Sequence, residues 1–342
     1  MSRTTPTRPR LIDVARLAGV SLGSASRALN VPQAVKGKTR KAVQEAAKQL
    51  AYVPDGRARS LALRRSFTVG AVLPTINNPV YADFAHALQQ GLSGEGYSVV
   101  CSAHAYDRVA EALIVERLLQ RGVDGIVLVG TDHDANVLAQ IVRAMVPYLF
   151  TWSTDEIGDG ECVGFSNRRA MQQLTQHLIS LGHRRISVLS GETRHNERAR
   201  ARLAGITDGL NMAGHQLPPK NIICGPFTVE AGRAGLRRAL ALTPRPTALM
   251  CATDLLAAGA LAEARELKIK VPRELSITGF DDIDVATLLT PPLTTVRVPT
   301  FEIGLKASEA ILRAIAGRSM AAEQVSTELI VRESTGPAPT KR

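Results

Sequence analysis

The stretch LIDVARLAGVSLGSASRALN, residues 11–30, decides the architecture of the N-terminal part of the chain. Its apolar residues recur at helical spacing up to Gly19, where a left-handed residue ends a helix without a Cβ penalty. Ser21 is placed to cap a second helix, in which Ala25 and Ala28 turn inward. Two helices joined by a glycine-containing turn predict a helix-turn-helix.

The net charge of the chain is concentrated around this motif. The 342 residues carry 42 Lys+Arg against 31 Asp+Glu. Residues 1–65 hold 14 of these cations and three of the acids, whereas the rest of the chain holds 28 of each. A localised charge of +11 is typical of a nucleic-acid-binding module, and a solvated basic face is the alternative. Because Tyr52 is the one aromatic residue of this segment, we expect duplex DNA rather than stacked single strands.

The outward face of the predicted second helix is expected to enter a major groove. Arg27 can donate a forked pair of hydrogen bonds to guanine, and Leu22 can touch a thymine methyl group. The residues predicted to read bases are Leu22, Gly23, Ser26 and Arg27. The residues predicted to contact phosphates are Ser21, Ser24, Asn30 and Thr39.

From Phe67 onward, short apolar runs alternate with helix-length amphipathic segments, most at intervals of about 25–30 residues. The predicted strands are Thr68–Leu73, Ser98–Ala103, Gly125–Val129, Pro147–Trp152, Arg185–Leu189, Asn221–Gly225, Ala248–Cys251 and Leu275–Phe280. Their near-continuous apolar character is typical of parallel strands covered by helices on both faces. One barrel and two doubly wound lobes both fit this periodicity.

Composition and motifs exclude several classes. With 45% hydrophobic and 21% charged residues, the chain is not generally disordered. Apolar runs stay well below the ~18 residues of a membrane helix, and Asp13 and Arg16 interrupt the first apolar stretch, so we expect no signal peptide. The four cysteines are far apart and lack a CxxC spacing, which favours a reducing cytoplasm. The GxGxxG, Walker and HExxH motifs are absent, which argues against an enzyme, and we expect no cofactor.

Several runs of this sequence together resemble the LacI/GalR family of bacterial transcription regulators. They are LIDVARLAGVS (11–21), SRALN (26–30), TR (39–40), YVP (52–54), ARSL (58–61), NP (78–79), GH (182–183), RLAG (202–205), Asp254, VP (271–272), GFDD (279–282) and PLTT (292–295). The resemblance implies a cytoplasmic homodimer that binds a pseudo-palindromic DNA operator and a small-molecule effector. It also implies a hinge helix in the minor groove, where Leu61 is the wedge beside Ala58 and Arg59.

The resemblance implies three segments: a helix-turn-helix DNA-binding domain at 1–54, a hinge helix and linker at 55–66, and an effector-binding and dimerisation domain at 67–342. The last is expected to be an α/β domain of two doubly wound parallel-sheet lobes, like a periplasmic binding protein. The N-lobe would comprise residues 67–165 and 298–325, and the C-lobe residues 166–297 and 326–336.

Doubly wound sheets bind ligands at the carboxyl ends of their strands. The residues predicted there to contact the effector are Tyr81, Trp152, Asn196, Arg198, Arg202, Thr253 and Asp281. By the resemblance, Arg202 donates a forked hydrogen bond and Asp281 accepts from ligand hydroxyl or N–H groups. A sugar or sugar acid is the expected ligand, with a nucleobase as the alternative.

Some positions carry other interpretations or depart from the family pattern. Because Arg198 and Arg202 lie four residues apart, a solvated or salt-bridged helix face is their alternative. The carboxylates Asp281, Asp282 and Asp284 suggest a divalent metal, but helix capping or ligand binding is favoured and no metal is expected. Arg10 and Lys36 stand where relatives have a capping hydroxyl, while Thr253 and the Trp152–Ser153 pair also differ from common family residues.

Two other classes of protein compete with this interpretation. An enzyme on a doubly wound sheet would leave the basic module unexplained. A free sugar-binding protein would share the lobes but would not carry the helix-turn-helix.

Overall fold

The computed structural model describes residues 9–53, 65–155, 161–319 and 322–339. The chain forms two compact units, one up to Phe67 and one from Thr68 onward.

The first unit contains three helices and a short 3₁₀ turn at Pro32–Ala34. The helices are α1 (Leu11–Leu17), α2 (Leu22–Asn30) and α3 (Gly37–Gln49). Its buried core consists of the small side chains Val14, Ala15, Ala25, Ala28, Val43 and Ala46. This core confirms that Ala25 and Ala28 of α2 turn inward, as helical spacing predicted.

The ends of these helices follow from local chemistry. Gly19 has a φ of +65°, which confirms the predicted left-handed residue after α1. Ser21 caps α2 by accepting from the backbone nitrogen of Ser24. At α1, the missing cap at Arg10 is offset because its backbone nitrogen donates to Asp13 Oδ2 over 2.9 Å. Lys36 begins α3 without a side-chain cap.

The second unit alternates strands and helices. Its strands are β1 (Thr68–Leu73), β2 (Ser98–Ala103), β3 (Gly125–Val129), β4 (Tyr148–Thr151), β5 (Cys162–Gly164), β6 (Ile186–Ser190), β7 (Ile222–Cys224), β8 (Ala248–Cys251), β9 (Ser276–Thr278), β10 (Thr295–Arg297), β11 (Glu323–Gln324) and β12 (Glu328–Ile330). Its helices are α4 (Pro79–Ser93), α5 (Arg108–Gln120), α6 (Ala135–Arg143), α7 (Asn167–Ser180), α8 (Glu197–Met212), α9 (Val229–Leu240), α10 (Asp254–Glu266), α11 (Val285–Leu288) and α12 (Thr300–Ile315).

The strands form two separate parallel sheets, so the barrel is ruled out. The N-lobe sheet has the order β11-β5-β4-β3-β1-β2 and the C-lobe sheet the order β7-β6-β8-β9. Strands β10 and β12 pair antiparallel beside them. Each parallel sheet reverses its winding next to its first strand, β1 or β6, and ligands bind at such switch points.

The eight predicted strands are all present, with ends that differ by at most two residues. Strands β5, β10, β11 and β12 were not predicted: each has only two or three residues and, unlike the equally short β7 and β9, none was recognised within a longer apolar run, while β10, β11 and β12 each contain a charged residue. Runs this short have no periodicity to read.

Candidate functional sites

The first candidate site is the outward face of α2. Leu22 is 50% exposed, and Gly23 and Arg27 are exposed beside it. Ser26 is half-buried, and its hydroxyl accepts from the Asn30 side-chain nitrogen over 3.3 Å. A Cβ on Gly23 would meet no atom closer than the Arg27 guanidinium, at 4.0 Å. The guanidinium of Arg27 therefore reaches back along the helix across the space that Gly23 leaves open.

The residues predicted to contact phosphates lie around this face. The Ser21 hydroxyl donates to Ser24 Oγ over 2.9 Å at the start of α2. Asn30 is the last residue of α2, and half-buried Thr39 lies in the first turn of α3. The predicted minor-groove residues Ala58, Arg59 and Leu61 lie outside the described residues.

The second candidate site is a cavity of about 260 Å³ in the second unit. Its walls come from the carboxyl ends of both sheets. The lining includes all seven side chains predicted to contact an effector, namely Tyr81, Trp152, Asn196, Arg198, Arg202, Thr253 and Asp281. Residues about 200 positions apart thus meet because the two lobes present the same sheet edge to each other.

Arg202 is the most constrained of these side chains. It is 7% exposed, and its guanidinium lies 3.8 Å from the centre of the Phe280 ring. Its Nε donates to Asn167 Oδ1 over 2.9 Å and its Nη1 to the Ala252 carbonyl over 2.6 Å. The remaining donors of the fork are held in one orientation by these contacts.

Asp281 lies across the cavity from the N-lobe and is 4% exposed. Asn78 of the N-lobe donates to its Oδ2 over 3.1 Å, so this bond joins the two lobes. Burial raises the pKa of Asp281 to about 6, against the opposing effect of Arg202. Its φ of +118° is strained for a residue with a side chain, a feature that clusters at ligand sites.

The loop that carries Asp281 is held from behind by Asp254. The Asp254 carboxyl accepts from Thr295 Oγ1 over 2.6 Å and from the Ile283 backbone nitrogen over 2.9 Å. Burial raises the pKa of Asp254 to about 8, and the neighbouring Asp281 adds to the shift.

Arg198 and Arg202 do not form a solvated helix face, since both are buried. Arg198 is salt-bridged, as its alternative interpretation proposed, with Nη1 2.9 Å from Glu197 Oε1. The same nitrogen donates to the Val129 carbonyl of the N-lobe over 3.2 Å. Arg198 therefore lines the cavity and contacts the opposite lobe at once.

Aromatic rings cover much of the cavity wall. Trp152 is 1% exposed, with its ring centre 4.9 Å from that of Tyr81. Its indole Nε1 is buried without a hydrogen-bond partner within the described part of the chain. A buried donor of this kind favours a ligand that brings an acceptor.

Asn196 and Thr253 are helix caps as well as lining residues. Asn196 Oδ1 accepts from the Ala199 nitrogen over 3.2 Å at the start of α8. Thr253 Oγ1 accepts from the Leu256 nitrogen over 3.4 Å at the start of α10. In each case the side-chain oxygen accepts a hydrogen bond from its own helix, and the N–H or O–H of the same side chain can still donate to a ligand.

Among the lining residues that were not predicted to contact the effector are Asn78, Tyr106 and Phe227. Tyr106 and Phe227 lie three residues after β2 and β7, and their ring centres are 5.8 Å apart. The rule that found the other residues, to examine each carboxyl end of a strand, would have found these two.

The acidic group after β9 does not converge on one point. Asp282 pairs with Arg297 over 2.8 Å and with Arg332 over 2.7 Å, whereas Asp284 is exposed. Within the described residues, no three His, Cys, Asp or Glu side chains are arranged to hold a metal ion. No helix in the same residues has the length and apolar character to cross a membrane.

Known proteins match both units. Residues 10–55 match the family model "Bacterial regulatory proteins, lacI family", and residues 175–335 match "Periplasmic binding protein-like domain". The HTH-type transcriptional repressor CytR of Escherichia coli K12 is 31% identical over 337 residues, which cover 97% of this chain and 98% of CytR.

Solved structures agree with this match. The lac repressor dimer bound to operator and the anti-inducer ONPF is 28% identical, with a TM-score of 0.85, and covers 96% of this chain and 100% of its own. The complex of the regulator CelR with cellobiose is 31% identical, with a TM-score of 0.72, at the same coverage.

The chain therefore belongs to the lacI family of bacterial regulatory proteins. It is a DNA-binding transcription regulator, with a helix-turn-helix and a periplasmic-binding-protein-like domain through which a small molecule controls operator binding. Its relatives are transcription regulators rather than enzymes.

Proposed function

We propose that this chain is a homodimeric repressor of a pseudo-palindromic operator, and that a neutral polyhydroxylated molecule, a sugar or glycoside, is its effector. The repressor acts in the cytoplasm, on the nucleoid, where its operator is. The proposed class of effector rests on the charge balance of the cavity.

The positive groups of the cavity are already matched by negative groups. Arg198 forms a salt bridge with Glu197, and the positive charge of Arg202 favours the ionised form of the Asp281 carboxyl. The exposed lining residues Glu192 and Arg194 carry opposite charges. A sugar acid would add an anion for which the described lining offers no unmatched cation, which favours a neutral ligand.

The hydrogen-bonding groups suit vicinal hydroxyls. The remaining N–H groups of Arg202 would donate, and the carboxylate oxygen of Asp281 that Asn78 does not contact would accept. A hydroxyl both donates and accepts, so neighbouring hydroxyls of one sugar match this alternation. The rings of Tyr81, Trp152, Tyr106 and Phe227 would cover the apolar faces of the ligand.

At the DNA, we propose that Leu22, Gly23, Ser26 and Arg27 read bases, and that Ser21, Ser24, Asn30 and Thr39 contact phosphates. The exposure of Leu22 and Arg27 and the cap at Ser21 support this division. For the hinge, Ala58, Arg59 and Leu61 remain our candidates for minor-groove contacts.

We propose no catalytic role for the cavity. Within the described residues, its lining has no histidine or cysteine beside a hydroxyl, and the hydroxyl of Thr253 serves a helix cap. Because hydrogen bonds to Asn167 and Ala252 hold the Arg202 guanidinium in one orientation, it suits ligand binding.

Trp152 offers a direct test, because it is the only tryptophan of the chain and lines the cavity. Cellobiose, ribose, gluconate and adenine are titrated while Trp152 fluorescence is followed, and each is then added to a retardation assay with promoter DNA. We expect a neutral sugar to change both the fluorescence and the DNA retention. Binding of gluconate or adenine alone would contradict the effector class, and no DNA retention at low salt would contradict the regulator.

A further inference from the structure

A second set of contacts joins the two lobes beside the cavity. The loop 130–134 follows β3 in the N-lobe and meets the first turn of α8 in the C-lobe. The Thr131 backbone nitrogen donates to Glu197 Oε1 over 3.1 Å. Gly130 has a φ of +95°, and a Cβ there would lie 1.9 Å from the Arg198 guanidinium. Glycine at 130 therefore permits this close approach between the lobes.

The same loop carries a carboxylate shared between the lobes. Asp132 Oδ2 accepts from Arg200 Nη1 of α8 over 2.8 Å. The other oxygen of Asp132 is paired with Arg108 of α5, on its own lobe. Partial burial would raise the pKa of Asp132, but Arg200 and Arg108 outweigh it and the pKa is lowered. Asp132 is thus an ionised bridge from one lobe to the other.

The loop is anchored firmly to the N-lobe, so that it moves with that lobe. His133 Nδ1 lies 2.6 Å from Glu111 Oε1 on α5, and its Nε2 lies 3.1 Å from the Gly130 carbonyl oxygen. The His133 ring is stacked on Phe150 of β4, with centres 5.6 Å apart. The ion pair between Arg200 and Asp132 therefore couples α8 to the N-lobe as a whole.

We propose that Asp132 is a positioning residue, an ion-pair bridge to Arg200 that Arg108 supports and that keeps the lobes closed around the cavity. None of these three residues lines the cavity. They act through Glu197 and Arg198, which lie on the same turn of α8 and contact the N-lobe.

The bridge stabilises the closed arrangement whether or not a ligand is present, and so sets how much of the protein is ready to bind. This consequence for effector binding rests on the proposed function. The bridge is tested by measurements without ligand, so it can be disproved independently of the proposed function.

The test compares Asp132→Asn with Asp208→Asn in the full chain. Asp208 pairs with Arg168 over 2.5 Å within the C-lobe, so its variant removes an ion pair without touching the contact between lobes. Acrylamide quenching of Trp152 reports opening of the cavity, because this side chain is buried and is the only tryptophan. We expect quenching to increase about two- to fivefold in Asp132→Asn and to stay unchanged in Asp208→Asn.

Hydrogen exchange separates lobe opening from general loosening. The Thr131 amide should exchange about two- to fivefold faster in Asp132→Asn, while the amides of β3 keep their rates. Arg200→Gln should reproduce the effect, and the double variant should add little to either single change. Wild-type quenching and exchange in Asp132→Asn, or equal acceleration throughout β3, would overturn the proposal.

Discussion

The face of α2 and the cavity between the lobes are opposite kinds of binding surface. On α2, Leu22 and Arg27 lie in solvent, over a core of valine and alanine side chains. In the cavity, Arg202 and Asp281 are buried and already bonded to protein partners. The DNA must therefore supply the partners that these exposed side chains lack within the described residues, whereas the effector meets a site formed in advance.

The largest expected effect concerns salt. If about 6–10 phosphates are neutralised, operator affinity should fall about 10³–10⁵-fold between 50 and 200 mM salt. Sugar binding to the charge-matched cavity should change little over the same range. Anisotropy titrations of labelled operator and Trp152 fluorescence titrations measure the two. Equal salt dependence of operator binding and sugar binding would contradict this difference between the two sites.

Asp281→Ala should come next in size. The change removes the acceptor and leaves Arg202 buried without its opposing charge, at a cost of about 2–5 kcal/mol in sugar binding. Trp152 fluorescence titration measures the loss. Asp284→Ala is the matched control, because Asp284 is exposed three residues further on, and it should bind sugar like wild type. A similar loss in both variants would argue against a direct contact at Asp281.

On the DNA side, Arg27→Ala should reduce discrimination at one base pair of each half-site by about 1–3 kcal/mol. Lys38→Ala, which changes an exposed cation of α3, should instead weaken all sequences alike and lower the salt slope by about 1. Binding to a library of operator variants distinguishes these outcomes. Loss of specificity in Lys38→Ala alone would contradict the assignment of the base-reading face.

The pH dependence should come from the cavity. With its pKa at about 6, Asp281 loses its accepting, ionised form as the pH falls through that value. Sugar affinity should therefore drop about tenfold from pH 7 to pH 5. Asp281→Asn should remove this dependence, and a wild-type affinity that stays constant over this range would contradict the role of the carboxylate.

The smallest expected effect is at Gly23. Its Cβ position is open and its backbone is helical, so Gly23→Ala should stabilise α2 by up to about 1 kcal/mol. Calorimetric melting of the full chain should show the increase in the transition of the first unit. A lower melting temperature would mean that the space above Arg27 is needed in the folded helix.

The two regions also differ in how far the sequence could predict them. Helical spacing, Gly19 and Ser21 were sufficient for the helix-turn-helix, because the ends of its helices and their apolar faces are set by residues close together in the sequence. The cavity was predictable only as a collection of strand ends, through the rule on doubly wound sheets. The bond from Asn78 to Asp281 and the bridge from Asp132 to Arg200 depend on how the lobes meet, and no local pattern encodes that.

The central claim is that the cavity and the operator face share one conformational equilibrium. It is tested most directly by measuring operator affinity with and without a saturating sugar, and sugar affinity with and without operator, on the same wild-type protein. We predict that both affinities change by the same factor, as linkage requires. A sugar that binds at Trp152 and leaves operator affinity unchanged would contradict the account.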